Sequence, residues 1–462
     1  MDQYGNAQPL IDRRKRSLWK VAVHVSASLV LALVLSGVWP FHFLSDFMVN
    51  GFVKGRLLRG LTEAYPSYSI HISGMHYNIG GDRIGFDSVT VMAIDSTLSC
   101  TVARLSVRGI RWMHLLWEGN VAPRDLAGSV ADAQDIALNL QQEQYEFRCG
   151  SLHVSVPDSE MVVEALEVHP SGDDEQFFAG SRLRKTRFRL VVPHVRVIGL
   201  ACLGLLQGKN YRTRSVHIDD AFLDVLVNKD KVYAKETVSP PMPDEILSSV
   251  QGNLQIDSLS IRNGCLKYAE RFAVGGRQAL ITLDSTRVLV EGIANRGGRG
   301  TSVVIRAEGR FMKAGTMTVR LSIPVASPQL SFQYSGSLGI MDLRPINSFV
   351  ETAEQIRIKT GILHAATFEI NVDSGRASGN VRATYRGLTL AVINKQTGSD
   401  KGFLNSIVSF IARTTRIRGT NVPDKSGSTK IGQVKYTRQR NEYFLEFAWF
   451  ALRSGVGDVV GF

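Results

Sequence analysis

The stretch Ile356–Asn394, IRIKTGILHAATFEINVDSGRASGNVRATYRGLTLAVIN, decides the fold class. Phe368, Ile370 and Val372 alternate with Glu369 and Asn371, the period-2 signature of a strand with one apolar face. Asp373-Ser374-Gly375 carries turn chemistry, because glycine tolerates positive φ and an aspartate can bond its own backbone. Val381, Ala383 and Tyr385 then alternate with Arg382 and Thr384. A second turn is expected at Arg386-Gly387, followed by Leu388, Leu390 and Val392 on a third strand. The segment reads as an antiparallel meander with one greasy and one wet face.

The same period runs through most of the chain. From Tyr68 it appears in Ile70 and Ile72, in Ile84, Phe86 and Val89–Val91, with a turn at Gly80-Gly81-Asp82. It returns at Leu254–Ile261, at Ile281, Leu283 and Val288–Val290, and at Val303–Arg310 and Met317–Ile323. Asn263-Gly264 predicts a hairpin between SLSIR and CLKYAE. Helices are expected at Asp244–Val250, at Leu343–Glu354 with Pro345 in the first turn, and at Phe403–Ile411. Asp424–Lys430 reads as a polar loop, and Gln433–Tyr436 and Tyr443–Phe447 as closing strands. Leu105–Asn120 matches Val195–Asn210 without a gap: Gly109 and Gly199, Leu115 and Leu205, Leu116 and Leu206, and Asn120 and Asn210 fall 90 residues apart. A repeated β-unit of this kind suggests stacking into an elongated sheet.

The N-terminus has a different character. Arg13-Arg14-Lys15-Arg16 precedes Val21–Trp39, a run with no Asp, Glu, Lys or Arg, bracketed by Trp19 and Trp39. A helix needs about 20 apolar residues to cross the hydrocarbon layer, and the basic cluster sets residues 1–18 on the cytoplasmic side. Ser36-Gly37-Val38-Trp39-Pro40 is a poor cleavage site, so the run is expected to stay as an anchor. Ser45–Ala64 looks like an amphipathic helix leaving the membrane. Ser239-Pro240-Pro241-Met242-Pro243 is the best linker. The expected layout is a basic tail (1–18), an anchor (19–40), an N-terminal β-repeat region (41–238), a linker with a short helix (239–253) and a C-terminal β-module (254–462).

The net charge of +12 admits anionic lipid or other acidic partners. Arg182, Arg184, Arg187 and Arg189 form the sharpest basic run; a solvated outer face is its ordinary reading, contact with anionic headgroups its functional one. Nucleic acid is not expected, since no aromatic-interleaved basic motif is present. The four cysteines are far apart without a C-x-x-C pair, which points to buried thiols, while an exported body would permit one or two disulfides. No nucleophile elbow, zinc-protease helix, phosphate loop or dinucleotide fingerprint occurs. His71 and His76, the closest histidine pair outside the membrane run, would point to opposite faces of one strand, so no metal site is expected.

Taken in order, the anchor, SIHISGMHYNIGGDRIGFDSVTV, the two G-x-x-x-x-x-LL units, QIDSLSIRNGCLKYAE, GSLGIMDLRPINSFVETAEQIRIKTGILHAATFEINVDSGRASGNVRATYRGLTLAVIN (336–394) and GQVKYTRQRNEYFLEFAWFALRSGVGDVV resemble the AsmA-like envelope proteins of Gram-negative bacteria, of the repeating-β-groove lipid-transfer class. The resemblance implies a mainly β fold with a few helices, in which an N-terminal transmembrane helix precedes an elongated, curled antiparallel sheet forming a groove. It implies no catalytic residue and no cofactor. It implies an inner-membrane protein with a periplasmic body, phospholipid or another acyl-chain ligand as partner, and a role in lipid traffic or outer-membrane integrity. Phe368, Ile370, Val372, Val381, Tyr385, Leu388 and Leu390 are the expected groove lining. The rival expectation is a periplasmic scaffold or assembly factor with a closed β-core and an envelope protein partner, in which the same alternation is plain core packing.

Overall fold

A computed structural model of the chain describes residues 65–78, 83–109, 126–206, 210–232, 239–297, 301–325, 329–393 and 417–461, with four isolated positions between 54 and 63. The expected anchor, most of the amphipathic helix 45–64, the turn at 80–82 and the helix 403–411 lie outside the described residues. No described helix is long and apolar enough to cross a membrane.

The chain is mainly β. Its strands are β1 (Tyr68–Asn78), β2 (Arg83–Ala93), β3 (Leu98–Arg108), β4 (Val130–Leu140), β5 (Tyr145–Ser155), β6 (Glu160–Pro170), β7 (Thr186–Ile198), β8 (Asn210–Asp219) and β9 (Phe222–Asn228). They continue as β10 (Asn253–Arg271), β11 (Ala279–Ala294), β12 (Ser302–Phe311), β13 (Gly315–Pro324), β14 (Phe332–Leu338), β15 (Met341–Asp342), β16 (Ile356–Asp373), β17 (Arg376–Val392) and β18 (Ile431–Thr437). Among the described residues they are interrupted by α1 (Asp174–Ala179), α2 (Cys202–Leu206), α3 (Pro243–Ser249), α4 (Asn347–Ala353) with a 3₁₀ turn (Arg344–Ile346) before it, and α5 (Phe444–Val460). Strand pairing joins all 18 strands in one mixed sheet. The expected antiparallel sheet is corrected where β9 pairs parallel to β10, from Phe222 opposite Cys265 to Asn228 opposite Arg271. A parallel pair needs a crossover of a dozen or more residues, and 229–252, carrying α3, supplies it.

The chain divides into two compact units: residues 1–141, 150–161 and 201–211 in the first, and 142–149, 162–200 and 212–462 in the second. The expected linker 239–253 lies inside the second. In the first unit, β1 to β4 form an antiparallel meander whose inward residues include Ile72, Ile84, Phe86, Val91, Val102 and Leu105. Cys100 is buried in this face, which pushes its thiol up to about 11; all four cysteines are free. In the second unit, β10 to β14 and β16 to β18 run antiparallel, each beside the next.

The hairpin at 373–375 is as expected: Asp373 pairs with Arg376 across Ser374 and Gly375, both at positive φ (52° and 72°), the backbone that favours the hairpin's own twist. Two other predicted turns are bulges. β10 runs straight through Asn263-Gly264, where Asn263 takes φ 53° and the register against β11 slips on either side of Gly264. β17 runs straight through Arg386-Gly387, with Gly387 at φ 61° and the Thr360 hydroxyl donating to its carbonyl (2.7 Å). The expected third strand of the meander is therefore the second half of β17. The repeat keeps a local trace, since Gly109 and Gly199 both leave a strand at positive φ (71° and 73°).

The expected closing strand Tyr443–Phe447 is the start of α5. Phe444, Phe447, Ala448, Ala451, Gly455 and Val459 recur at three- and four-residue spacing, and this face packs on the sheet. α5 also fills two backbone donors of β18. Asp458 Oδ2 accepts the Gln433 N–H (2.7 Å) and Ser454 Oγ the Lys435 N–H (3.3 Å), so outward donors of β18 are filled by side chains. The Gln433 N–H and Lys430 hold the Asp458 carboxyl below its usual range. Asp458→Asn is expected to cost about 1 kcal/mol at neutral pH in chemical denaturation. The difference from the parent should shrink as pH falls through the folded-state value, where the parent's own carboxylate is lost.

Candidate functional site

Residues directly opposite one another in neighbouring strands share a face, and the register of the second unit lays out two apolar rows across it. One row runs Leu259, Val290, Ile305, Leu321, Tyr334, Ile370, Gly379 and Val434. The other runs Ile261, Val288, Ala307, Val319, Gly336, Phe368, Val381 and Gly432. The opposite face is wet: Arg306 lies across from Arg320 and Glu308 from Thr318, all exposed. Burial along the apolar rows is uneven. Over β14 to β18, Tyr334, Ile370, Val381 and Val434 are buried, whereas over β10 to β13 Leu259, Ile261, Val288, Val290, Ile305, Val319 and Leu321 are only half-buried.

The difference is α5. It seats on β17 and β18 so closely that a Cβ on Gly432 would stand 2.0 Å from the Gly455 carbonyl oxygen, and a Cβ on Gly455 2.6 Å from Val381. Of the expected groove lining, Ile370, Val372, Val381 and Tyr385 are buried with α5 in one core cluster, and the Tyr385 hydroxyl donates to the Arg418 carbonyl (2.8 Å). Phe368, Leu388 and Leu390 are half-buried.

The helix has a second apolar stripe. On one flank Phe450 stacks on Tyr436 (5.9 Å between centroids), and Ser454 and Asp458 bond β18. On the other, the Ala448 carbonyl accepts from Tyr334 Oη of β14 (2.8 Å). Further round in the same sense come Leu445, Trp449, Leu452 and Val456, spaced four, three and four. Leu445 is 71% exposed, Trp449 41% and Val456 40%. This stripe lies on the β14 side, beside the half-buried rows. We refer to the half-buried rows over β10 to β13 and the exposed stripe of α5 together as the apolar trough. Single exposed leucines carry no meaning, but a continuous patch of this kind marks a contact surface.

Ends and rim are polar or strapped. Segment 239–252 is pinned near β18, where Arg438 Nη2 donates to the Pro240 carbonyl (2.8 Å). It is pinned again at β11, where Asn295 Nδ2 donates to the Val250 and Gly252 carbonyls (both 2.8 Å). Leu247 of α3 packs against the core cluster between these pins. On the face of α5 turned away from β17 and β18, Lys229, just after β9, pairs with Glu270 of β10 (2.7 Å) and lies 3.9 Å from Glu446, while Arg453 pairs with Glu354 (2.8 Å). Burial raises the Glu354 carboxyl above its usual range.

The basic run is also corrected. Arg187 is 2% exposed, doubly bonded to Asp174 of α1 (3.0 and 3.1 Å) and bonded to the Asp224 carbonyl (3.1 Å), with its carboxylate at 3.1 Å. Arg189 also meets Asp174 (2.9 Å). The capping box of α1, with Asp173 accepting from the Gln176 N–H, fixes Asp174 beside β7, and Phe177 and Phe178 bury the helix against Leu226 and Ala269. These two guanidiniums are committed to internal carboxylates. Arg184 donates to the Lys231 carbonyl (3.0 Å), and Arg182 is exposed.

No protein-family model matches the chain. No curated protein matches it either. Among the described residues no group of three or more His, Cys, Asp or Glu could hold a metal. The trough itself escaped sequence reasoning, because it depends on strand register and on the second stripe of a helix that reads locally as a strand.

Proposed function

We propose that this chain is a non-enzymatic, inner-membrane-anchored envelope protein that shelters the acyl chains of phospholipid in its apolar trough and so supports outer-membrane integrity. The observation that carries the reading is the pair of apolar rows running out from under α5, half-buried over β10 to β13 and flanked by Leu445, Trp449 and Val456. Acyl chains against this surface gain about 0.8 kcal/mol per CH₂ removed from water, which favours capture without any directional bond. The anchor expected at 19–40 and the polar outer face agree with a body beside a membrane.

Photocrosslinking in the full-length, membrane-extracted protein tests this. A crosslinker at Val319 or Trp449 is expected to label co-purified phospholipid, and one at Ile370, beneath α5, to label none. Labelling at Val319 no greater than at Arg320 on the wet face would rule the trough out.

One observation favours a second reading, a scaffold for outer-membrane protein assembly: α5 fills the face of β16 to β18, as a closed core would. Protein rather than lipid adducts at Trp449 would select it.

A further inference from the structure

α5 is held in two unlike ways. Its sheet-facing side meets β18 backbone to backbone at Gly455 and Gly432, and its Phe447, Ala451 and Val459 share one apolar cluster with Tyr334, Ile370 and Val381. On the opposite side α4 buries Phe349 and Ala353 in a different cluster, with Ala279. Ion pairs join the two sides. Arg453 of α5 meets Glu354, the C-cap of α4, fork to fork, with Nη1 2.8 Å from Oε1 and Nη2 donating to Oε2 at 2.9 Å. Glu446, two turns earlier, lies 3.9 Å from the Lys229 ammonium, whose nearer partner is Glu270 (2.7 Å). The Tyr268 hydroxyl donates to that same Glu270 oxygen (2.7 Å). The five charged side chains are only 7–17% exposed.

A seam of ions thus separates two apolar cores. Had it been apolar, parting it would cost free energy in proportion to the surface exposed to water. Ions drawn apart recover their hydration instead, which is why packed hydrophobic residues often replace a buried pair at no loss of stability. The seam is therefore the side of α5 that parts at low cost, while the Gly432–Gly455 side holds the helix to the sheet. It also borders the exposed stripe: Trp449 stands one turn before Arg453, and Leu445 is next to Glu446.

Resting on the trough reading, we propose that this seam is the gate of the trough: the Arg453–Glu354 and Lys229–Glu446 pairs separate to admit an acyl chain beside α5 and re-form behind it. A gate sets how fast lipid enters, not how much is held at the end.

The test follows loading in time. Full-length protein with a photocrosslinker at Val319 is mixed with vesicles of phosphatidylcholine, a fraction of it acyl-labelled, and adducts are counted after successive flashes. Loading of the parent is expected to quicken about threefold between about 0.05 and 0.5 M NaCl, since salt screens the parting charges. Glu354→Leu with Arg453→Met seals the seam with packed apolar side chains, and should slow loading about tenfold and flatten the salt response. Its final yield of adduct should match the parent's, and its melting temperature should be no lower. Glu354→Arg with Arg453→Glu rebuilds the pair in reverse and should return both the rate and the salt response. A sealed variant that loads at the parent's rate, or a parent indifferent to salt, overturns the gate while the Val319 adducts keep the trough. Should the sealed variant not fold, the parent's salt response and the reversed pair decide the question. No Val319 adduct at any salt overturns the trough and the gate with it.

Discussion

Gly432→Val is expected to expel α5 from the sheet. The obstruction is backbone: the Gly455 carbonyl oxygen stands 2.0 Å from where the new Cβ would be, with a Val459 methyl at 2.7 Å, and neither a rotamer change nor a small slide relieves both. Overpacking usually costs about 1–3 kcal/mol where side chains can yield; against the Gly455 backbone a loss of about 4 kcal/mol or more is expected. For a unit of this size that lowers Tm by roughly 10 °C. The informative readout is local. Hydrogen exchange should accelerate across Phe444–Val460 and along the outer edge of β18, while β1 to β4 keep their protection. Uniform loss of protection, or none, would contradict the seating described. If the trough reading holds, the same variant changes what the wall of the trough is made of, and labelling at Trp449 should fall with it.

Asp224→Ala carries the second large effect. It removes one carboxylate from a guanidinium that is almost wholly buried and leaves Arg187 with Asp174 and a main-chain carbonyl. Breaking one side of a buried pair costs about 3–5 kcal/mol, chiefly because the remaining charge stays desolvated. Lys267, 3.5 Å from the same carboxylate, loses a partner too. The double variant Asp224→Leu with Arg187→Met should recover much of that loss, since packed apolar residues often replace a buried ion pair at little cost. Denaturant unfolding of the parent, Asp224→Leu, Arg187→Met and the double variant decides the matter. An additive double variant would mean that Arg187 is not buried against Asp224.

These two effects mark what the sequence could and could not disclose. Alternation at Phe368, Ile370 and Val372, and the turn after Asp373, are local facts, and the strands and hairpin follow from them. Asn263-Gly264 and Arg386-Gly387 were legible only as residues that accept positive φ; a bulge and a turn use the same backbone, and strand pairing far along the chain chose between them. Tyr443–Phe447 misleads because FLEF is too short to separate period two from period 3.6. Arg187 looked like surface because its partners, Asp174 and Asp224, lie 13 and 37 residues away. The apolar character of the site was visible in the residues. Its location was not, because α5 covers the stretch that reads most strongly and leaves open the strands before it.

The hydrogen bonds from Asp458 and Ser454 to β18 have a consequence for self-association. With the Gln433 and Lys435 N–H groups already taken, β18 is a poorer template for a neighbour's chain, which disfavours stacking of molecules through this strand into fibres. Cleavage after Thr437 would strip that protection in a single cut, baring a seven-residue border with alternating Gly432, Val434 and Tyr436. The last helix thus doubles as a stopper against runaway polymerisation, and a proteolysed product should precipitate where the intact chain stays dispersed.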